Sequence, residues 1–455
     1  MNLLDLNEYI LREIFVYLDH HEVYYTLRNV CQYLQMCAEN YIQLGGVFML
    51  TSVPGMPCKI FHIFKQNSKV ISIYSSLGPS LPRPSTVGSI STGSISTAVF
   101  YNNSTEYTPS NLTFDIGVFG STLQGKIVVG MYYTEEHKKV PKRSKVRPHL
   151  YKERFCYLNE YDPWNNKWIP IPSKDRSYQY LNGTSSGVNF VMSWCPLGGS
   201  MIVMEEDAFQ PFNHIRRIHL NIDKHQKYPE IKNPRMLRMF QRNKKSKHPC
   251  SANSVIIPLP IELQNVIECT LVQTEYDKLM LVGGIYEDYR PNTMLWQGSI
   301  ANNINNKIAT TKSDLCWHPM NVELTKARLM PICFKLKSNL YIAGGNSLYA
   351  LHNPSGGRFE TNGRPLLCCD RFDLNEKKYY SHVYSLPYPI CDLDKVVTDS
   401  METFAIILNS KTGSFLIFTE KDGFAEFPDF TIFGKMSVAK PFFFNCRATS
   451  FLRIE

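Results

Sequence analysis

Two stretches near the N-terminus repeat apolar residues at helical spacing. In the first, apolar residues fall at i, i+1, i+4, i+5 and i+8, namely Ile10, Leu11, Ile14, Phe15 and Leu18. In the second they fall at i, i+4, i+7, i+8 and i+11, namely Val23, Leu27, Val30, Cys31 and Leu34. Because each spacing places its residues on one face of an α-helix, the pattern predicts two or three short helices. We expect a capping box of Asp5 and Glu8 at the start, and we expect Gly45 and Gly46 to end the helical region.

The hydrophobic pattern changes at Val47. From there, short runs rich in Val, Ile, Phe and Tyr alternate with clusters of Gly, Pro, Asn and Ser, as in KIFHIF, KIVVGMYY, KLMLVGG and NLYIAGG. Apolar runs bounded by turn residues are typical of β-strands, and many short strands at regular spacing predict a sandwich, a barrel or a propeller. The chain therefore divides into a helical unit, residues 1–45, and a mainly β region, residues 46–455.

Three segments of the β region are predicted as flexible inserts, near residues 78–111, 135–150 and 230–250. The first repeats the string GSIST and has little to bury. The other two contain the basic blocks 138–147 and 232–248, which together hold 13 of the 49 Lys and Arg residues and account for the net charge of +9. We interpret these blocks as solvated loops, with nuclear-import signals as the alternative. Nucleic-acid binding is disfavoured because the aromatic residues needed for base stacking are almost absent from both blocks.

The remaining composition argues against several kinds of site. Thirteen cysteines without any CxxC pair predict reduced thiols, which favours the cytoplasm, with the nucleus as a further compartment. No apolar run approaches the length of a membrane span, and the N-terminus lacks the basic start of a secretory signal. The GxSxG string at residues 183–187 precedes a strand-like run, so we interpret it as a turn. We expect no catalytic set, no metal and no cofactor.

Three units repeat along the β region, at residues 125–168, 277–317 and 337–380. Each has an apolar strand ending in Gly-Gly or Val-Gly, a strand with Tyr or Phe before Asp, and a last strand that opens at an aromatic residue. The spacing from Asp162 to Trp168 and from Asp373 to Tyr379 is that of a Y-D-x(5)-W segment. This pattern resembles the kelch motif. The resemblance implies a β-propeller of four-stranded blades, with the motif aromatics packed between blades rather than exposed to a ligand.

We expect about six blades, near residues 47–115, 116–175, 185–262, 265–325, 327–390 and 393–455. The glycine pairs should lie where a neighbouring backbone leaves no room for a Cβ. A propeller needs a closed ring, because a single blade cannot bury both of its faces. The C-terminal run PFFFNCRATSFLRIE is expected to close the ring against the segment from Lys59 to Tyr74.

Residues 6–38, LNEYILREIFVYLDHHEVYYTLRNVCQYLQMCA, resemble the F-box. The positions that match the family pattern are Leu6, Ile10, Leu11, Ile14, Phe15, Tyr17, Leu18, Val23, Leu27, Val30 and Cys31. Two positions depart from it: Asn7 replaces the usual Pro, and Tyr33 or Leu34 stands where the family has Trp.

The F-box resemblance implies docking on a Skp-family linker protein, which joins a cullin and a RING subunit in an SCF-type ubiquitin ligase. The residues expected to make or support that contact are Leu6, Ile10, Ile14, Phe15, Leu18, Val23, Val30 and Cys31. With the kelch region, the resemblance implies a non-catalytic receptor whose propeller binds a substrate protein through unassigned loops. One alternative is a kelch scaffold that binds cytoskeletal or nuclear partners without ubiquitin transfer, its helices forming an internal cap. A propeller enzyme is a further alternative.

Overall fold

The computed structural model describes residues 5–15, 18, 23, 26–27, 30–43, 46–52, 57–66, 70–80, 117–123, 126–139, 149–162, 167–171, 176–180, 190–206, 214–222, 250–286, 290–300, 315–347, 364–390, 395–398, 402–408, 415–427 and 440–445. The predicted inserts fall largely between these ranges, as do residues 183–187 of the GxSxG string.

Two α-helices have their bounds within the described residues of the N-terminal part: α1 (Glu8–Phe15) and α2 (Gln32–Gln43). The predicted capping box is wrong, because the Oδ1 atom of Asn7 accepts the amide of Ile10 at 3.0 Å and Asn7 is therefore the N-cap. The second apolar pattern does not coincide with one helix either, since α2 begins only at Gln32. Val23 and Leu34 of this pattern are buried, Leu27 and Cys31 are half-buried and Val30 is exposed, so the pattern does not mark one continuous buried face.

The strands that follow are, in chain order, β1 (Gly46–Ser52), β2 (Pro57–Gln66), β3 (Val70–Ser80), β4 (Gly117–Leu123), β5 (Lys126–Lys139), β6 (His149–Asp162), β7 (Lys167–Ile171), β8 (Arg176–Tyr180), β9 (Phe190–Leu197), β10 (Ser200–Glu206), β11 (His214–Ile222), β12 (Cys250–Ile257), β13 (Val266–Ile267), β14 (Thr270–Glu275), β15 (Lys278–Val282), β16 (Ile285–Tyr286), β17 (Met294–Ile300), β18 (Leu315–Glu323), β19 (Ile332–Leu336), β20 (Asn339–Ala343), β21 (Cys368–Asp373), β22 (Lys378–Ser385), β23 (Lys395–Thr398), β24 (Phe404–Leu408), β25 (Phe415–Thr419), β26 (Gly423–Phe427) and β27 (Lys440–Asn445). A short 3-10 turn, Ile261–Leu263, lies between β12 and β13.

Within the described ranges, these strands form antiparallel sheets that follow one another along the chain. Five sheets have four strands, in the orders β27-β1-β2-β3, β9 to β12, β14-β15-β17-β18, β19 to β22 and β23 to β26. Another has β4 to β7 in order, with β8 paired to β6, and β13 pairs with β16 as a short ribbon. One edge strand of each larger sheet contacts an edge strand of the next, in the order β4, β9, β14, β19, β23 and β27. The cycle closes because β27 contacts β4. This closed cycle confirms the predicted mainly β propeller.

The ring is closed by β27, which pairs antiparallel with β1, for example Met49 with Phe443. The predicted partner, the segment from Lys59 to Tyr74, is wrong because it covers β2 and β3, which lie further out in the same sheet. A strand pairs along at most two edges. Since β2 is already paired with β1 and β3, the free inner edge of β1 receives the C-terminal strand.

Strand pairing extends into the insert predicted near 135–150. β5 continues through Lys139, which pairs with His149 at the start of β6. Residues 140–147 of the first basic block and the whole of the second, 232–248, lie outside the described residues. The same holds for residues 81–111 of the GSIST insert.

The glycine pairs lie where the repeat predicted close backbone approach. Gly284 has φ +97°, and a Cβ built on it would lie 2.6 Å from the carbonyl oxygen of Ile267. A Cβ on Gly344, with φ +60°, would lie 2.5 Å from the carbonyl oxygen of Ile390. Only glycine fits such positions without moving the neighbouring chain. The third pair, Gly198 and Gly199, instead forms the turn between β9 and β10.

The motif aromatics are in the core, as predicted. Tyr161 and Phe372 are fully buried, and the ring centroids of Tyr161 and Trp168 are 5.1 Å apart. Apolar residues of neighbouring sheets pack into shared clusters. The propeller is thus stabilised mainly between sheets, where each sheet buries a face that it could not bury alone.

Candidate partner-binding surface

The helical unit has its own small core. Leu11, Phe15, Val23, Leu34 and Cys37 are at most 1% exposed and pack into one cluster. Two of the residues predicted to contact a linker protein, Phe15 and Val23, therefore lie inside the unit. They can support a contact surface, but they do not form it.

Four further predicted contact residues occupy the edge of this core. Leu6, Ile14, Leu18 and Cys31 are half-buried and pack against the cluster. The hydroxyl of Tyr33 donates to the carbonyl oxygen of Leu6 at 2.7 Å and ties the start of α1 to α2. These side chains keep part of their apolar surface accessible at the boundary of the unit.

The last two predicted contact residues are exposed. Ile10 is 45% exposed and Val30 is 64% exposed, and Tyr9, which precedes Ile10 in the chain, is 76% exposed. Tyr9 was not in the predicted set, because it does not lie on the apolar face that the helical spacing defines. The sequence could have indicated that Tyr9 is exposed, because it is a large aromatic residue next to Ile10 that falls outside the core pattern. Exposed apolar side chains on a small helical unit are candidates for contact with a partner.

The propeller contains a buried polar cluster that the sequence did not reveal. Arg328, in the connection from β18 to β19, and Asp370, in β21, have completely buried side chains joined by a 2.6 Å ion pair. Arg328 also donates to the carbonyl oxygens of Gly344 and Cys368, at 2.6 and 3.2 Å. Burial alone would lower the pKa of Arg328, but the charge of Asp370 raises it overall.

The same cluster brings together three side chains of metal-binding type. Ligand atoms of Cys368, Asp370 and His382 lie within 4.8 Å of one another. However, one oxygen of Asp370 accepts from Arg328 and from the Tyr379 hydroxyl at 2.5 Å, and the other accepts the His382 amide at 2.8 Å. Arg328 also lies 3.1 Å from the Cys368 sulfur. Because a guanidinium already occupies the cation position, these residues do not suit a metal ion.

A second polar cluster joins the β19–β22 and β23–β26 sheets through Glu420. Its carboxylate accepts hydrogen bonds from Asn339 at 2.9 Å and from the Tyr341 hydroxyl at 2.8 Å, and Lys337 lies 3.5 Å away. Burial would raise the pKa of Glu420, but these hydrogen bonds and Lys337 lower it overall. Glu420 therefore stays ionised as a structural acceptor and is not tuned to deliver a proton near neutral pH.

Four buried thiols are not activated as nucleophiles. Burial raises the pKa of Cys195 and of Cys269 to about 12 and also raises the pKa of Cys333 and Cys369. A thiolate is the nucleophilic form, so these side chains pack as small apolar groups. Cys31 and Cys316 are half-buried free thiols.

Comparisons with known proteins identify no family for the chain. No protein-family model and no curated protein matches it. Among solved structures, the chain is similar to one titled "Structure of YjhT", with 11% sequence identity over 83% of this chain and 95% of that chain and a TM-score of 0.40. A similarity this distant carries no argument about function, and the propeller assignment depends on the sheet order itself. Neither described helix has the length and apolar character needed to cross a membrane.

Proposed function

We propose that the chain is the substrate-recognition subunit of an SCF-type (cullin-RING) ubiquitin ligase. In this proposal the helical unit binds a Skp-family linker protein and through it the cullin and RING subunits, and the propeller binds the substrate protein. The observation that carries the proposal is the exposure of Ile10 and Val30, two positions of the F-box-like pattern. The subunit is non-catalytic and acts by raising the effective concentration of the substrate near the conjugating enzyme.

We also infer that the propeller is of the kelch type and has six blades. The inference is supported by the cycle of sheets whose inner strands are β27, β4, β9, β14, β19 and β23. It is supported further by the glycine pairs and the buried motif aromatics. Substrate binding is assigned to loops at one end of the propeller axis, without a choice of loop.

A kelch scaffold without ubiquitin transfer is the alternative function. It is favoured by the fact that Phe15 and Val23 are used in the unit's own core and that Leu6, Ile14, Leu18 and Cys31 pack against it. A unit that buries so many of its pattern residues internally can serve as a self-contained cap. The two proposals differ in whether a linker protein binds.

The test is co-expression of the full chain with a Skp-family linker protein, followed by affinity capture and size exclusion. Ile10→Asp and Val30→Asp each place a charge on the exposed apolar surface, and each should weaken capture by about 100-fold or more, because a buried carboxylate in an apolar interface has no partner. Ile261→Asp is the matched control, since Ile261 is 82% exposed and lies in the β region. Substitution of Phe15 is avoided because it would unfold the helical unit.

A one-to-one complex that is lost in both helical variants and retained in the control supports the receptor proposal. If the unsubstituted chain forms no complex while its strands remain protected from hydrogen exchange, the scaffold alternative is favoured. Equal capture of all three variants would show that the surface around Ile10 and Val30 is not the docking site.

A further inference from the structure

Arg217 is a buried arginine in the sheet formed by β9 to β12. It lies in β11, paired with Ile202 of β10 and Val255 of β12, and is 5% exposed. Its Nε atom donates to the Ser200 hydroxyl at 2.7 Å, and that hydroxyl donates to the carbonyl oxygen of Leu197 at 2.6 Å. Among the described residues, Arg217 therefore has one hydrogen-bond partner, and it is neutral.

No carboxylate of the described residues forms an ion pair with Arg217. Burial lowers the pKa of Arg217, and the nearby Tyr276 compensates only in part. Arg328 is the internal comparison, because its buried guanidinium has Asp370 as counterion. A buried charge without a counterion is costly. The charge of Arg217 is therefore incompletely compensated in the described part of the chain.

The side chain of Arg217 belongs to the face that packs on the sheet of β14, β15, β17 and β18. Ile215, two residues earlier on the same side of β11, is part of the core cluster shared by these two sheets. His219, two residues later, is half-buried, and burial together with the charge of Arg217 lowers its pKa. The β11 side of this interface thus presents a guanidinium and an imidazole.

The opposite sheet contributes further unused donors. Trp296 of β17 and Trp317 of β18 pack against the same core cluster. The Nε1 atoms of both indoles are buried without a hydrogen-bond partner. Buried N–H groups normally have an acceptor. Both sheets therefore contribute N–H donors to this interface. Among the described residues, the two indole N–H groups have no acceptor.

The guanidinium lies close to two hairpin turns at one end of the propeller. A Cβ built on Gly198, in the β9–β10 turn, would lie 3.6 Å from the Nη2 atom of Arg217. The amide of Gly198 donates at 2.7 Å to the carbonyl oxygen of Tyr276, in the β14–β15 turn. Tyr276 is 72% exposed, so the two linked turns lie at the surface. Arg217 therefore lies near two turns that reach the surface.

We propose that a small oxyanion, a carboxylate or a phosphate, binds between these two sheets with Arg217 as its main partner. A planar guanidinium donates two parallel hydrogen bonds to such an anion. His219 and the indole N–H groups supply donors without adding a competing negative charge. The bound anion would neutralise Arg217.

The test uses the full chain with inorganic phosphate and with acetate as probes, each compared with chloride at equal ionic strength. Calorimetric titration and the unfolding temperature report binding, and the indole resonances in nitrogen-15 NMR report the local contact, since the chain has only five Trp residues. Arg217→Met removes the charge, and Lys421→Met is the control because Lys421 is exposed. We expect saturable binding of at least one probe, weakened at least 10-fold by Arg217→Met and unchanged by Lys421→Met.

Comparison of the affinities for phosphate and acetate identifies the oxyanion that the site prefers. Absence of saturable binding for both probes would overturn the proposal, as would equal binding by the Arg217→Met variant. An anion-insensitive chain that Arg217→Met strongly destabilises would also overturn it, because a carboxylate of the chain itself would then be the counterion. Shifts of the Trp296 and Trp317 resonances, assigned by Trp→Phe substitution, are expected only where binding occurs.

Discussion

Removal of the carboxylate of Asp370 should be among the most destabilising single changes in the propeller. Both members of the Arg328–Asp370 pair have fully buried side chains, and Asp370 also accepts from the Tyr379 hydroxyl and the His382 amide. In Asp370→Ala the Arg328 charge loses its counterion, while its hydrogen bonds to two backbone carbonyls remain. Breaking a buried pair from one side costs about 3–5 kcal/mol.

A double variant separates the charge from the packing. Arg328→Met with Asp370→Leu removes both charges, which can be close to neutral for a buried pair. It also leaves the carbonyl oxygen of Gly344 without the Arg328 donor, at about 1–3 kcal/mol for an unsatisfied group, whereas the carbonyl oxygen of Cys368 still accepts the amide of Gly344 at 3.1 Å. We therefore expect the double variant to recover part, but not all, of the stability lost in Asp370→Ala.

The measurement is guanidinium chloride unfolding of the full chain at neutral pH, with the midpoint and the slope fitted separately. Glu275→Ala is the control, because Glu275 pairs with Lys278 at 2.8 Å and its side chain is 54% exposed. An exposed pair of this kind is worth at most about 1 kcal/mol. If Asp370→Ala costs no more than Glu275→Ala, the reasoning about the buried pair is refuted.

Three further predictions concern packing, pH and thiol reactivity. Gly284→Ala should destabilise the propeller by about 2 kcal/mol or more, because the backbone strain adds to a clash with a carbonyl oxygen. Gly298→Ala is the comparison in the same unfolding assay. It should cost less, because its Cβ would meet only the side chains of neighbours, at 3.2 Å. The lowered pKa of Glu420 means that its stabilising contribution is complete above its unfolded pKa and is lost as the pH falls through the folded value. Glu420→Gln should therefore flatten the acid side of the stability curve measured by thermal unfolding, and an unchanged curve would contradict this. Cys269, with a pKa of about 12, should resist a thiol reagent that modifies the half-buried Cys316 in the native chain, as mass spectrometry of the labelled peptides would show.

The helical unit shows how far a periodic pattern reaches. The F-box resemblance, which adds family positions to the helical spacing, selected the eight predicted contact residues, and six of them lie in or beside the small core: Leu6, Ile14, Phe15, Leu18, Val23 and Cys31. It did not separate Phe15 and Val23, which are buried, from Ile10 and Val30, which are exposed. The depth at which a side chain is buried depends on the other segments that pack over it. Those segments are not part of the local pattern, so the pattern cannot predict the depth.

In the β region, local sequence was sufficient for the repeating strands, the glycine pairs and the buried aromatics. Each of these depends on a strand and its immediate neighbours, so the alternation of apolar and turn residues predicts it. Only the tertiary structure decided that β27 pairs with β1, that Arg328 meets Asp370 and that no carboxylate of the described residues pairs with Arg217. These contacts join residues that are far apart in the chain. They depend on the tertiary structure because the closed ring determines which strand edges and which buried charges come together.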